Sequence, residues 1–245
     1  SAPEGVAILN YDDSRVRAMI GHTSARVFTY GLSPEADLWA DEVQALGLGG
    51  LRAVLHHDGV AVPIEIALLG RHSVYAALRG AAIGLAEGLS WDEIAAGLAA
   101  VDDPPRLVAV QGIGDTLILD DTYNSSPPSA LAALDLLSEL EGRKVAVLGD
   151  MLELGAYERE GHRQVGRRAA EIVAELVVVG DLGPLIGEGA LAVGLDPARL
   201  HAAPDSEAAV PLVKALLQPK DAVLVKGSRG VAMEYIVDAL KAEAT

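Results

Sequence analysis

The polar segment at residues 120–129, which reads DDTYNSSPPS, combines side chains that could bind or position a ligand. Two consecutive aspartates supply carboxylates, Tyr123 a phenol and Asn124 an amide, so the segment can both donate and accept hydrogen bonds. It follows the apolar run 116–119, which is typical of a strand, and its paired prolines favour the start of a helix. Open α/β sheets bind ligands at the carboxyl ends of their strands. A polar turn that only caps a helix is the alternative interpretation.

Two further segments repeat this pattern of a strand that ends in a polar turn. Residues 145–155 (VAVLGDMLELG) run from an apolar strand into a Gly-Asp turn, and residues 223–230 (VLVKGSRG) run into a Gly-rich turn. In the latter turn, exposed backbone N–H groups together with Lys226 and Arg229 would form a cradle for an anion. Three such turns at the ends of parallel strands predict one shared cleft.

The second half of the chain must form the sheet that positions these turns. From residue 103 onward, runs of strand length alternate with helical patterns, which predicts an α/β fold with a largely parallel, doubly wound, Rossmann-like sheet. The acidic and proline-rich stretch 102–105 is the best linker, so we place a domain boundary between residues 102 and 103. Predicted strands are 108–111, 117–119, 145–148, 176–179, 199–202 and 222–226, and predicted helices are 129–140, 159–174, 182–193, 206–217 and 231–242.

The first 102 residues predict a separate sheet with helices and a β-hairpin. Residues 6–9 form an apolar strand, and the alternating runs 51–56 and 60–66 flank an Asp-Gly pair, which is a strong hairpin signal. The two histidines beside that pair could be metal ligands. Because no further ligand is fixed nearby, we interpret them as part of the hairpin tip.

Composition excludes several classes of protein. The net charge of −16 argues against a surface that binds nucleic acid, and it means that an anionic ligand needs local Lys and Arg side chains. The chain contains no cysteine, so a disulfide, a thiol nucleophile and a cysteine metal site are excluded. No apolar segment is long enough to span a bilayer, and the N-terminus lacks a signal-peptide pattern. We therefore expect a soluble, cytoplasmic protein.

The three motifs resemble those of the Mur ligases of peptidoglycan synthesis. DDTYNSSP at 120–127, VLGDMLELG at 147–155 and KGSRG at 226–230 occur in the order that the family has. The pattern is most similar to the MurF type, which adds D-alanyl-D-alanine to UDP-N-acetylmuramoyl-tripeptide. The resemblance extends over nearly the whole chain.

This resemblance implies an enzyme that joins a carboxylate to an amine with ATP and Mg²⁺, through an acyl phosphate. Its substrates would be UDP-N-acetylmuramoyl-tripeptide and D-Ala-D-Ala. Residues 1–102 would be the C-terminal part of the central ATP-binding domain, and residues 103–245 the family's last domain. The sequence has no Gly-Lys dipeptide and therefore no phosphate loop of the family's type. A missing N-terminal half, with the phosphate loop and the UDP-binding domain, would be its partner, and the isolated chain would be inactive.

Four residues match nucleotide contacts of the family. Asn10 resembles the asparagine that contacts the adenine, and Asp13 lies in the same turn. Arg106 resembles the arginine that contacts the ribose and phosphates, and Asp121 the aspartate that hydrogen-bonds the ribose hydroxyls, a suitable task for a carboxylate. Without the resemblance, Asn10 could simply cap a turn, and Arg106 could be a solvated linker charge.

Five residues are assigned by the resemblance to the side of the amine substrate: Tyr123, Asn124, Lys226, Ser228 and Arg229. The last three could hold the dipeptide carboxylate or the γ-phosphate, or they could form only a strand-end cap exposed to water. No catalytic residue and no metal ligand are assigned.

The second motif leaves two questions open. Asp150 and Glu153 could be functional or could only terminate a helix, whereas His162 is predicted to be a packed helix residue.

Two other functions of the chain also stay open. One is another amide ligase of the family, such as one that adds glutamate to a folate. The other is a non-catalytic module that binds a nucleotide or a partner.

Overall fold

The computed structural model describes residues 5–100 and 107–242, and the chain divides into two compact units, Ser1–Pro104 and Pro105–Thr245. The predicted boundary between residues 102 and 103 and the predicted nucleotide residue Arg106 lie outside the described residues, so both stay predictions. Within the described part of the chain, no helix is long and apolar enough to cross a bilayer.

The first unit contains a five-stranded mixed sheet. Its strands lie in chain order, with β1, β2 and β3 parallel and β3, β4 and β5 antiparallel. Helix α2 packs on this sheet through Val74, Leu78 and three buried alanines, and α3 packs beside β5. The elements are β1 (Val6–Asn10), α1 (Ser14–Ala18), β2 (Arg26–Gly31), β3 (Leu38–Ala45), β4 (Leu51–His57), β5 (Val60–Ile66), α2 (Val74–Ala86) and α3 (Trp91–Ala99).

The predicted hairpin is confirmed as β4 and β5. Asp58 and Gly59 have φ angles of +49° and +77°, the left-handed values that a two-residue turn of this type requires. His56 stacks on Trp39 at 3.9 Å and pairs with Asp41, so it belongs to the sheet surface. No group of three or more His, Asp or Glu side chains in the described residues is placed to hold a metal ion.

The second unit contains a six-stranded sheet in the order β10-β9-β8-β11-β7-β6. All neighbouring pairs are parallel except β6 with β7. This confirms the predicted α/β class and the largely parallel sheet. The elements are β6 (Val108–Gly112), β7 (Thr116–Asp121), α4 (Pro127–Glu139), β8 (Lys144–Gly149), α5 (Glu158–Ala170), β9 (Glu175–Val179), α6 (Gly183–Ala192), β10 (Leu200–Ala203), α7 (Ser206–Leu216), β11 (Ala222–Lys226) and α8 (Glu234–Leu240).

Helices cover both faces of this sheet. Alternate residues of β8, β9 and β11, such as Val147 and Val225, pack with α7 and α8. Because side chains alternate along a strand, the residues between them, such as Leu148 and Leu224, face the other side, where α4 packs on β11 and α6 on β8 and β9. The central strands are therefore buried on both faces, as in other doubly wound sheets.

Helix α8 begins three residues later than the sequence pattern predicted. Arg229–Val231 forms a 3₁₀ turn, and Ala232 takes a left-handed conformation with φ +54°. A continuous α-helix cannot pass through such a residue. The helix therefore starts at Glu234, and the Gly-rich turn is left as an irregular loop at the end of β11.

Candidate functional site

The three polar turns meet at one edge of the second unit's sheet. Strand β11 lies between β7 and β8, with Lys226 opposite Asp121 on one side and Leu148 on the other. The strands are parallel, so the turns that follow them emerge at the same end. The predicted convergence of the three motifs is therefore confirmed.

A pocket of about 250 Å³ lies among these turns. This volume is slightly below the range of about 300–1,000 Å³ that is typical of ligand sites. The pocket therefore fits a small molecule better than a whole nucleotide. Its lining residues come from all three motifs: Tyr123, Asn124, Leu152, Glu153, Ser228, Arg229 and Gly230.

Beneath the pocket, a buried ion pair joins β11 to β7. Lys226 Nζ donates to Asp121 Oδ2 at 2.6 Å and to the carbonyl of Asn124 at 2.8 Å. Lys226 is only 1% exposed, and it does not line the pocket. Its ammonium therefore holds the turn that carries Tyr123 and Asn124. A direct substrate contact by Lys226 stays a prediction, and so does a ribose contact by Asp121.

Arg229 supplies the positive charge at the pocket wall. Its guanidinium carbon lies 5.4 Å from the centre of the Tyr123 ring, an arrangement worth about 0.5–1 kcal/mol at an exposed site. Both side chains are exposed to solvent. The contact orders the arginine without burying its charge, so Arg229 can still bind an anionic group bidentately.

Ser228 fastens the three turns to one another. Its hydroxyl accepts from the backbone N–H of Leu152 at 2.9 Å and donates to the carbonyl of Ser125 at 3.4 Å. Its own N–H donates to the carbonyl of Asp150 at 2.9 Å. Ser228 is 3% exposed although it lines the pocket. Its substrate contact stays a prediction beside this clear structural task.

Asp150, which follows β8, binds the turn between β9 and α6. Its carboxylate accepts from the N–H groups of Asp181 and Leu182 at 3.1 and 3.0 Å, just before α6. Burial raises the pKa of Asp150, and these hydrogen bonds partly oppose that rise. Asp150 therefore fixes the loop that leads to Leu152 and Glu153.

His162 is a packed helix residue, as predicted. It is fully buried in α5, its Nδ1 donates to the carbonyl of Glu158 at 2.7 Å, and its Nε2 accepts from the N–H of Met151 at 2.9 Å. With one nitrogen donating and the other accepting, the imidazole is neutral. His162 thus holds the backbone of the second motif at Met151.

Asn10 and Asp13 lie at the end of β1 in the first unit. The side-chain oxygen of Asn10 accepts from the N–H of Asp12 at 3.0 Å. The Asp13 carboxylate caps α1 by accepting from Arg15 and Val16 at 2.8 and 3.2 Å. Both side chains thus have local tasks, and their nucleotide contacts stay predictions.

The sequence analysis missed Asp12, which organises this end of β1. Its carboxylate accepts from the N–H of Leu32 at 2.7 Å and from the hydroxyl of Tyr75 at 2.8 Å. Burial and this hydrogen bond raise the pKa of Tyr75 to about 12. No local pattern could have shown this contact, because Tyr75 lies 63 residues from Asp12 in the chain.

The sequence analysis also assigned no binding role to Leu152, Glu153 and Gly230 at the pocket wall. Glu153 does not end a helix, since α5 begins five residues later and Glu153 has a left-handed φ of +65°. The signal that could have indicated an irregular turn here is the pair of glycines, Gly149 and Gly155, on either side of Asp150 and Glu153.

Two family models match this two-unit α/β chain. The model of the Mur ligase glutamate ligase domain matches residues 92–229, more than half of the chain, and the Mur ligase middle domain matches residues 1–85. The chain belongs to the Mur ligase family, as its motifs predicted.

Its relatives include the UDP-N-acetylmuramoyl-tripeptide–D-alanyl-D-alanine ligases of Mycobacterium tuberculosis and Escherichia coli. These are 35% and 33% identical to it over 98% of this chain, but over 52% and 53% of their own length. A crystal structure of MurF from Acinetobacter baumannii has a TM-score of 0.84 and 30% identity, covering 96% of this chain and 51% of that one. The chain thus spans about half the length of the relatives that it matches.

Two structures of lower sequence identity show that the fold is shared. MurF from Thermotoga maritima in complex with ADP has a TM-score of 0.77 at 21% identity, covering 98% of this chain and 53% of that chain. Mycobacterium tuberculosis folylpolyglutamate synthase complexed with ADP has a TM-score of 0.71 at 20% identity, covering 97% and 56%.

Proposed function

We propose that this chain forms part of an ATP-dependent ligase that adds D-Ala-D-Ala to UDP-N-acetylmuramoyl-tripeptide. Residues 1–102 would complete the central nucleotide-binding domain, and residues 103–245 would bind the incoming dipeptide. The names of the relatives at 33–35% identity support this reaction. The structural observation that carries the proposal is the small pocket with Arg229 and Tyr123 at its wall.

The chemistry of the pocket suits the dipeptide. D-Ala-D-Ala carries one carboxylate and two methyl side chains. Arg229 can bind the carboxylate through two hydrogen bonds, and Leu152 and Tyr123 offer apolar surface for the methyl groups. Lys226 and Asp121 position the pocket wall indirectly, because their ion pair holds the turn that carries Tyr123 and Asn124.

The nucleotide assignments rest on the first unit and on Asp121. ATP, when bound, would supply the phosphoryl group that activates the carboxylate of the acceptor peptide. Asn10 uses its side-chain oxygen in its own turn, so its amide nitrogen is the group that would donate to the adenine. Asp121 would have to reach the ribose with a carboxylate that also holds Lys226. The described residues contain no cluster for Mg²⁺, so we assign it no ligand.

The reaction can be tested in a fusion protein. The part of the Escherichia coli relative that precedes the matched region would be joined to this chain, and phosphate release would be measured with UDP-N-acetylmuramoyl-tripeptide, ATP and Mg²⁺. We expect release that depends on D-Ala-D-Ala. A folded fusion that binds ATP but releases phosphate only with L-glutamate would indicate a different amide ligase. If neither D-Ala-D-Ala nor L-glutamate stimulates phosphate release, the proposal is contradicted.

Arg229 provides the site-specific test in that fusion. Arg229→Ala should raise the KM for D-Ala-D-Ala by about tenfold or more, because a charge-assisted hydrogen bond is worth about 1.5–3 kcal/mol. Arg163→Ala is the matched control, since Arg163 forms a surface ion pair with Glu188 on α6. An unchanged KM together with a lowered melting temperature would make Arg229 a structural residue.

A further inference from the structure

We propose that Glu153 binds the ammonium group of the incoming substrate, so that the pocket recognises a zwitterion with Glu153 at one pole and Arg229 at the other. The inference rests on the proposed function, because it concerns the same pocket. It adds a specificity determinant that the motif resemblance did not assign.

The position of Glu153 is the first argument. It lies in the second motif, whereas Arg229 lies in the third, and both line the same pocket of about 250 Å³. Glu153 is exposed. It belongs to no helix, because the chain enters a 3₁₀ turn only at Gly155 and α5 only at Glu158. Helix capping therefore does not explain why the Glu153 carboxylate lies at the pocket wall.

The backbone of Glu153 gives a second argument. Its φ of +65° is a left-handed conformation that residues other than Gly, Asn and Asp rarely adopt. Gly155, two residues later, also has a positive φ of +55°. Glycine at position 153 would satisfy the turn with less strain. A strained residue at a binding pocket is a feature that often accompanies function.

The charges at the pocket wall identify the ligand class. A site for phosphate alone would gain from Arg229 and lose from a nearby carboxylate, since like charges repel. A molecule with separate ammonium and carboxylate groups is favoured by both residues. Leu152 and the Tyr123 ring provide an apolar surface between such groups. This pattern fits an amino acid or short peptide with free termini, of which D-Ala-D-Ala is one.

The two charged poles can be separated by NMR titration of the 245-residue chain. The probes are D-Ala-D-Ala, its N-acetyl derivative, which lacks the ammonium, and its C-terminal amide, which lacks the carboxylate. We expect each derivative to bind the wild-type chain at least about fivefold more weakly than the dipeptide. Glu153→Gln should abolish the penalty for N-acetylation and keep the penalty for amidation. Glu139→Gln, at the exposed end of α4, is the matched control.

A second variant separates binding from folding. Glu153→Gly should raise the melting temperature, because glycine relieves the left-handed strain, yet it should lose the discrimination against the N-acetyl derivative. The inference is overturned if the wild-type chain binds the N-acetyl derivative as well as the dipeptide, if it binds none of the probes, or if Glu153→Gln keeps the discrimination. L-Glutamate is included as another zwitterion. If the chain binds L-glutamate in a way that depends on Glu153, and the fusion protein does not turn over D-Ala-D-Ala, the proposed reaction is refuted while the role of Glu153 is supported.

Discussion

Replacing Lys226 with Met tests whether the buried ion pair holds the pocket together. Methionine keeps most of the length of the lysine side chain and removes the ammonium. That ammonium lies 2.6 Å from Asp121 Oδ2 and 2.8 Å from the Asn124 carbonyl oxygen. The substitution thus takes away the link between β11, β7 and the turn that carries Tyr123.

The burial of the pair sets the size of the effect. The side chains of Lys226 and Asp121 are 1% and 10% exposed. Removing one partner of a buried pair costs about 3–5 kcal/mol, whereas an exposed pair is worth about 0–1 kcal/mol. At a urea dependence of about 2 kcal/mol per molar, a loss of 3 kcal/mol lowers the unfolding midpoint by about 1.5 M.

The assay is urea unfolding of the chain followed by circular dichroism. Lys226→Met and Asp121→Leu should each destabilise strongly. The double variant should recover most of the loss, because apolar groups can replace a buried pair at little net cost. Lys214→Met, on the exposed side of α7, is the control. A loss below about 1 kcal/mol for Lys226→Met, or a double variant with the summed loss of the two single ones, would refute the reasoning.

Three further predictions concern stability. Asp150→Asn should cost about 1–2 kcal/mol in urea unfolding, because one of the two N–H groups in the turn before α6 loses its charged acceptor; an unchanged midpoint would contradict the role of Asp150 in holding that turn. Burial and the hydrogen bond to Asp12 raise the pKa of Tyr75 to about 12. The protonated Tyr75 hydroxyl therefore makes its full contribution to stability below about pH 10, and this contribution is lost between about pH 10 and 12. Tyr75→Phe should therefore lose less stability than the wild type over that range, by up to about 1 kcal/mol after solvent screening, and parallel pH profiles would refute this. Gly166→Ala should cost more than 1 kcal/mol, since the added carbon would lie 1.9 Å from a carbonyl oxygen of α6, whereas Gly97→Ala meets nothing within 4 Å and should be neutral or stabilising; equal thermal shifts would contradict the clash.

The sheet of the second unit could be predicted because its signals are local. Each central strand is a short run such as Val145–Leu148 that is apolar on both faces, and each ends at a Gly or charged residue. Paired prolines mark the start of α4, and Asp58-Gly59 marks the hairpin in the first unit. The convergence of the motifs followed from the rule that ligands bind at the carboxyl ends of parallel strands.

Strand β3 escaped prediction for a local reason. Its sequence LWADEVQA carries charges in the middle, and the pairing with β4 shifts between Asp41 and Gln44. Glu42 has a φ of +49° at that irregularity. A bulge of this kind breaks the alternation of apolar and polar residues by which a strand is recognised in a sequence.

The partners of the charged site residues escaped prediction for a different reason. Lys226 and Asp121 lie 105 residues apart, and their contact depends on β11 entering the sheet between β7 and β8. Sequence reasoning placed both residues at strand ends, but it could not show that one neutralises the other. It therefore grouped Lys226 with Arg229 in one anion cradle, whereas only Arg229, three residues later, is exposed.

The order of the strands explains why these two cations differ. Because β11 has a neighbour on both sides, its last residue is enclosed by β7 and β8, and a charge there requires a buried counter-charge. Asp121, directly opposite on β7, supplies it. The two residues after β11, Gly227 and Ser228, are still buried, and the chain reaches the surface at Arg229, which is exposed at the pocket wall. Strand β11 and the turn that follows it thus bring in both the lysine that fixes the pocket and the arginine that lines it.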